Sequence, residues 1–344
     1  MAIYKYVYRN VDIYSNFFHR RNKMDKVVEE LYKIGIVPVI AIDDAKDAEP
    51  LAKALIDGGL PCAEVTFRTD AAEEAIKIIS EKFPDMIVGA GTVLTTEQAD
   101  RAKAAGAKFI VSPGFNRKTV EYCQKIGIPM VPGIATPGEV EQAIECGLDV
   151  VKFFPAEQNG GIAKIKAMAA PYTKMHFMPT GGVNKNNLND YLSFNKVVCA
   201  GGSWMVKKDL IAAGKFDEIE ALVADAVNSM LGFKIKHVGI NSVDATEAEN
   251  TADTFDKLFG FTKKIGNSSI FAGTAVEVMK SKGRGTHGHI AIGTNNVDRA
   301  VYHLERKGFK FDESTFAFDA QGHLKVAYLA DEIGGFGVHL GLND

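Results

Sequence analysis

In the run Val150-Val151-Lys152-Phe153-Phe154 a single lysine interrupts an otherwise apolar stretch. Burying an ammonium in such surroundings is costly unless the charge is paired or shed. The neutral amine is the form that attacks a ketone, and the iminium it creates is an electron sink for cleaving a neighbouring carbon–carbon bond. A second run, Ala63-Glu64-Val65-Thr66-Phe67-Arg68-Thr69, alternates so that Glu64, Thr66 and Arg68 share one face of a strand. Glu64 suits a proton shuttle for carbinolamine formation, deprotonation and hydrolysis, and Arg68 can grip a substrate carboxylate through two parallel hydrogen bonds. Thr92, closing Gly89-Ala90-Gly91-Thr92, adds a hydroxyl. The turns Thr180-Gly181-Gly182 and Gly201-Gly202-Ser203 offer backbone N–H groups to a phosphate, since glycine permits close approach. Each feature has a structural alternative: a strand lysine in an ion pair, Glu64 paired with Arg68, glycine doublets that only turn the chain. Convergence on one end of a barrel favours catalysis over that sum of coincidences.

A barrel follows from the pattern between these residues. Eight short, nearly continuous apolar runs, at residues 37–42, 62–67, 87–93, 109–112, 130–134, 150–154, 176–179 and 197–200, alternate with helical periodicity from Met24 to about Gly232. Continuous apolar character predicts strands covered on both faces, as in a parallel sheet. Helical stripes such as Ala48, Leu51, Ala52, Leu55 and Ile56 would cover the outside, and Gly58-Gly59, Gly106, Gly127 and Gly147 stand where helices should stop. Eight repeats predict a closed (β/α)8 TIM barrel with its site at the C-terminal ends of the strands. A doubly wound open sheet is the alternative, but its G-x-G-x-x-G turn is missing after the first strand.

After Gly232 the pattern changes. A strand at 234–240, a helix around Phe255, Leu258 and Phe259, and three short strands are followed by the same order from His287 to Leu340. Two βαβββ modules in tandem, an α+β domain, are the simplest reading. The expected organisation is therefore a tail at residues 1–23, with Met24 an alternative start, a barrel at 24–232 and a second domain at 233–344.

The bulk composition agrees with a globular, two-domain chain. Its 344 residues exceed the ~250 typical of one barrel, and 46% are hydrophobic. Forty basic against forty-three acidic residues, with no polybasic run, exclude an electrostatic footprint for nucleic acid or an anionic membrane. The expected partner is a small-molecule 2-oxo acid. Cys62, Cys123, Cys146 and Cys199 form no C-x-x-C pair, which fits a reducing, cytoplasmic setting and neither a disulfide framework nor structural zinc.

The stretches Glu64-Val65-Thr66-Phe67-Arg68-Thr69, Val88-Gly89-Ala90-Gly91-Thr92-Val93, Ser112-Pro113-Gly114, Lys152-Phe153-Phe154-Pro155-Ala156-Glu157, Pro179-Thr180-Gly181-Gly182 and Gly201-Gly202-Ser203-Trp204 resemble the 2-dehydro-3-deoxy-6-phosphogluconate and 4-hydroxy-2-oxoglutarate aldolase family. The resemblance runs from about residue 26 to 232. It implies a metal-free class I aldolase that releases pyruvate with either glyceraldehyde 3-phosphate or glyoxylate. Lys152 would be the Schiff-base lysine and Glu64 the acid/base. Arg68, Thr92, Pro113 and Thr180 would bind substrate, and Gly181, Gly182, Gly202 and Ser203 a phosphate. A homo-oligomer, typically a trimer, is implied as well. A phosphosugar epimerase and a phosphosugar-binding protein are the competing readings on a similar barrel, and neither needs an imine.

The second domain resembles the vicinal oxygen chelate superfamily, in which paired βαβββ modules surround a divalent metal. Its metal positions fall on His237, Glu277, His289 and His339, the last standing where that superfamily usually has Glu. Histidine and carboxylate donors together suit Zn, Ni, Fe or Mn. Ligand sensing or assembly is the alternative role.

Overall fold

The structure is a computed structural model and describes residues 25–343; the tail read at residues 1–23, and Met24, lie outside them. The chain divides into two compact units between Met230 and Leu231.

The first unit opens with helix α1 (Lys26–Ile34). Asp25 caps it by accepting from the Val27 amide at 2.8 Å, and Gly35, at φ 83°, ends it in a backbone region that suits glycine. Parallel strands then alternate with helices: β1 (Ile36–Ile40), β2 (Cys62–Thr66), β3 (Ile87–Gly91), β4 (Ile110–Val111), β5 (Met130–Val131), β6 (Gly133–Ile134), β7 (Val150–Phe153), β8 (His176–Pro179) and β9 (Ala200–Gly202). One sheet runs β5-β4-β3-β2-β1-β9 and another β6-β7-β8. Single bridges, Phe177 to Val197 and Thr180 to Gly201, join the two beside β8. This is a (β/α) barrel-type fold. Apart from the partly exposed Val39 and Ile87, the apolar strand residues are buried, as two-sided covering requires. The helix stops behave as the glycines predict, with Gly59, Gly106, Gly127 and Gly147 all at positive φ.

Two strands differ from expectation. The run at 130–134 is split at Pro132, which has no N–H to give a ladder, although its carbonyl still accepts from the Lys152 amide at 2.9 Å. The last barrel strand is Ala200–Gly202 instead of 197–200, because β1 pairs its Ile36, Val37 and Pro38 with Ala200, Gly201 and Gly202. The apolar run Val197-Val198-Cys199 is buried, but it is the glycine pair that lies in the ladder.

The second unit is one mixed sheet of β10 (Lys234–Ile240), β11 (Lys263–Ile265), β12 (Ser269–Ala272), β13 (Val276–Met279), β14 (Gly288–Thr294), β15 (Phe311–Phe318), β16 (Leu324–Leu329) and β17 (Phe336–Leu342), in the order β11-β12-β13-β10-β14-β17-β16-β15. The central pair, β10 and β14, is antiparallel, and each lies parallel to the last strand of its own half, β13 or β17. A helix at Ala245–Phe259 packs on β12 and β13, and one at Val297–Arg306 on β16 and β17. Ala248 and Ala252 bury the first helix's face against Ile270 and Val278. The strand expected near Phe309 begins at Phe311, after the chain turns through Gly308 at φ 90°.

Candidate functional site

The barrel brings Lys152 and Glu64 together across 88 positions of sequence. Lys152 lies on β7 and Glu64 on β2, and the Lys152 Nζ stands 3.3 Å from Glu64 Oε1. Lys152 is 5% exposed and Glu64 fully buried. The second carboxylate oxygen, Oε2, is buried with no hydrogen-bond partner among the described residues, and so is the Thr180 hydroxyl. Unpaired buried acceptors are costly, so both atoms are poised for a ligand. The ion pair is the structural alternative the sequence raised for the lysine, but it satisfies only half of the carboxylate.

Glycine makes room for this pair. A Cβ at Gly91 would collide with the Glu64 carboxylate, so β3 must be bare where Glu64 crosses it. The next residue, Thr92, has φ 59°, unusual for a β-branched residue and therefore strained. The Phe154 ring lies 5.1 Å from the Lys152 Nζ, a cation–π distance. Sequence reading missed Phe154 as a site residue, although its i+2 spacing from Lys152 was the available signal.

Arg68 does not continue the expected pleat. The strand ends at Thr66, and the Arg68 amide donates to the Thr66 carbonyl in a tight turn. From the turn its Nε donates to Thr66 Oγ1 at 3.0 Å, while Thr66 itself donates to the Ile40 carbonyl at 2.7 Å. Arg68 is exposed and pairs with no carboxylate among the described residues. Pro113 follows β4; its carbonyl lies so close to Gly133 that a side chain there would clash.

The glycine turns sit on the same strand ends. Gly181 and Gly182 have φ 99° and 79°. The Gly182 carbonyl accepts from the side-chain Nδ2 groups of Asn184 and Asn187 at 2.9 and 3.1 Å, which fixes the turn. Gly201 lies against the Thr180 side chain and Gly202 under the Trp204 ring, so neither tolerates a Cβ. Ser203 is exposed beyond them.

The second unit gathers its four candidate ligands. The Nε2 atoms of His237 and His289 are 3.1 Å apart, and Glu277 Oε2 is 3.1 Å from each. His339 joins them, the three histidine donor atoms lying within 4.8 Å of one another. Register explains the convergence: Gly239 pairs with both Glu277 and His289, and a Cβ on it would strike the His289 ring. Ser269 Oγ donates to Glu277 Oε1 at 2.6 Å, and His339 Nδ1 faces the Leu340 carbonyl at 3.3 Å, leaving Nε2 for the cluster. Hydrogen bonds from His237 and His289 hold the Glu277 carboxyl far below the usual carboxylate range. Burial pushes His339 down to about 4, reinforced by its histidine neighbours, so its imidazole is neutral and fit to coordinate. Ser269 and Tyr328, whose ring lies 4.6 Å from that of His339, carried no motif in the sequence.

A buried lysine and carboxylate facing each other inside a parallel barrel-type sheet are compatible with several barrel enzymes, and the family match places this one among the aldolases, which are carbon–carbon lyases. Residues 27–222 match the family described as KDPG and KHG aldolase, and the chain belongs to that family. It is 51% identical over 199 residues to a 2-dehydro-3-deoxy-phosphogluconate aldolase of Treponema pallidum, covering 58% of this chain and 95% of the relative. It is 43% identical over 192 residues to a KHG/KDPG aldolase of Escherichia coli, covering 56% and 90%. The solved KDPG aldolase from Legionella pneumophila, with pyruvate captured as a covalent carbinolamine, is similar with a TM-score of 0.56 and 38% identity over 58% of this chain and 97% of that one. The family match ends before the second unit. No helix among the described residues is long and apolar enough to cross a membrane.

Proposed function

We propose that the first unit, read as a closed eight-stranded TIM barrel in which β5 and β6 form one broken strand, cleaves 2-dehydro-3-deoxy-6-phosphogluconate and 4-hydroxy-2-oxoglutarate, releasing pyruvate from each. The Lys152 amine adds to the C2 ketone, and loss of water gives an iminium. Glu64 takes the C4 hydroxyl proton as the C3–C4 bond breaks, and the electron pair flows into the iminium to give an enamine. Protonation at C3 and hydrolysis free pyruvate and regenerate the amine. Arg68 and Thr92 hold the carboxylate end, with Pro113 and Thr180 lining the path, and Gly181, Gly182, Gly202 and Ser203 receive the phosphate. The observation that carries this reading is the 3.3 Å approach of Lys152 to a carboxylate whose other oxygen is unpartnered. Pyruvate with borohydride is expected to add covalently to Lys152, read by mass spectrometry; an epimerase or a binding protein on this scaffold would yield no adduct.

For the second unit we propose the paired βαβββ reading, with His237, Glu277, His289 and His339 holding a divalent cation that would supply a positive centre for an oxygen ligand. The fit rests on the 3.1 Å triangle of lone-pair donors. A stoichiometric metal in the full-length protein, lost on His289→Ala, is the expected result of elemental analysis.

A further inference from the structure

The first unit holds a second polar pair, which stands behind the glycine turn that follows β8. Tyr191, on the short helix Leu188–Leu192, is 1% exposed, and its phenol donates to Glu157 Oε1. Burial and that carboxylate push the phenol above its ordinary range, so it stays a donor. The pair lines a cavity of about 240 Å³ together with Gly160, Gly161, Asn187 and Asp190. A Cβ on Gly161 would stand 3.3 Å from both oxygens, so the bare chain there makes room for the bond.

Glu157 is tied to the turn twice. Its amide donates to the Gly181 carbonyl at 3.1 Å, and its stem lies so close to Gly182 that a Cβ there would strike the Glu157 Cγ at 2.5 Å. The other carbonyls of the turn are taken as well: Thr180 accepts from the Ala156 amide at 2.8 Å, and Gly182 from the Asn184 and Asn187 side chains. The amides of Gly181, Gly182 and Val183 donate to no acceptor among the described residues. With the carbonyls bound to protein, consecutive free amides are left for an anion. Glu157 is itself an anion within a side chain's length of those amides, on a residue that reaches the surface. The Tyr191 bond draws its carboxylate into the cavity instead.

We propose that Tyr191 is a positioning residue for the phosphorylated substrate: by holding the Glu157 carboxylate in the cavity, it keeps that charge off the Gly181 and Gly182 amides and leaves the turn open to phosphate. This rests on the aldolase reading above and adds the residues that set the choice between its two substrates, of which only one carries a phosphate. Without the hydroxyl, the carboxylate loses a charge-assisted bond beside a buried ring, swings toward the free amides and competes with the substrate. Both residues act through the turn, so the effect falls on KM and not on kcat.

The test compares pyruvate release from 2-dehydro-3-deoxy-6-phosphogluconate and from 4-hydroxy-2-oxoglutarate by the full-length chain. Tyr191→Phe keeps the ring that fills the core and removes only the donor. It is expected to raise KM for the phosphorylated substrate about tenfold with kcat held, so that the ratio of kcat/KM for the two substrates falls by the same factor. Adding Glu157→Gln to that variant removes the competing charge and should recover most of the ratio. A loss shared equally by both substrates marks a purely structural tyrosine and overturns the proposal, as does an unchanged ratio. A double variant no better than Tyr191→Phe overturns it too, because the Glu157 charge is then not the competitor. A parent that releases pyruvate from neither substrate removes the aldolase reading and this proposal with it.

Discussion

The two units resolve the same electrostatic difficulty in opposite ways. In the barrel a buried amine and a buried carboxylate face each other at 3.3 Å, so each offsets part of the other's desolvation, and one carboxylate oxygen has no partner among the described residues. In the second unit a carboxylate oxygen and two imidazole nitrogens crowd to 3.1 Å, where lone pairs repel unless a proton or a cation lies among them. The first arrangement is paired within the protein itself. The second is a cluster of donors that hydrogen bonds hold together and that the proposed cation would occupy.

Perturbing each unit alone should separate them, beginning with the largest effect. Lys152→Met is expected to lower aldol cleavage by at least about four orders of magnitude, measured as pyruvate release, with metal content unchanged. Glu64→Gln should keep borohydride-trappable imine formation at a reduced rate and lower turnover by roughly 10²–10⁴-fold in the same assay. His289→Ala should weaken metal binding by more than about a hundredfold while leaving pyruvate release within about twofold of the parent. If instead cleavage falls with metal loss, the separation drawn here is wrong.

The smallest effect is a pH dependence of the metal-free second unit. An unfolded histidine takes its proton near 6.5, whereas burial holds His339 at about 4 in the fold. The unfolded chain therefore binds more protons between those values. Stability should be level above about 6.5 and fall as pH drops toward 4, by on the order of 2 kcal/mol, in urea melts at fixed pH. His339→Leu should flatten that decline.

Much of the barrel was legible in the sequence because strands covered on both faces must be apolar throughout, and one lysine in such a run is conspicuous. The helix stops were legible for a related reason, as Gly106, Gly127 and Gly147 occupy backbone that other residues resist. The exceptions are physical as well. Val197-Val198-Cys199 looks more like a strand than the glycines that follow, yet close packing of Thr180 and Trp204 admits only glycine in the ladder. Arg68 looked like a continuation of the pleat, but its amide closes a turn on Thr66.

Residue type and local period by themselves determined most of the strand segments, several helix stops and which side chains are costly to bury, because those properties depend largely on near neighbours. Only the tertiary structure decided that Glu64 leaves Oε2 unpaired beside Lys152, that Gly91 must be bare to admit it, and that four strands bring His237, Glu277, His289 and His339 to one point. Those outcomes depend on register and sheet curvature between segments distant in the chain, and short-range pattern carries no information about either.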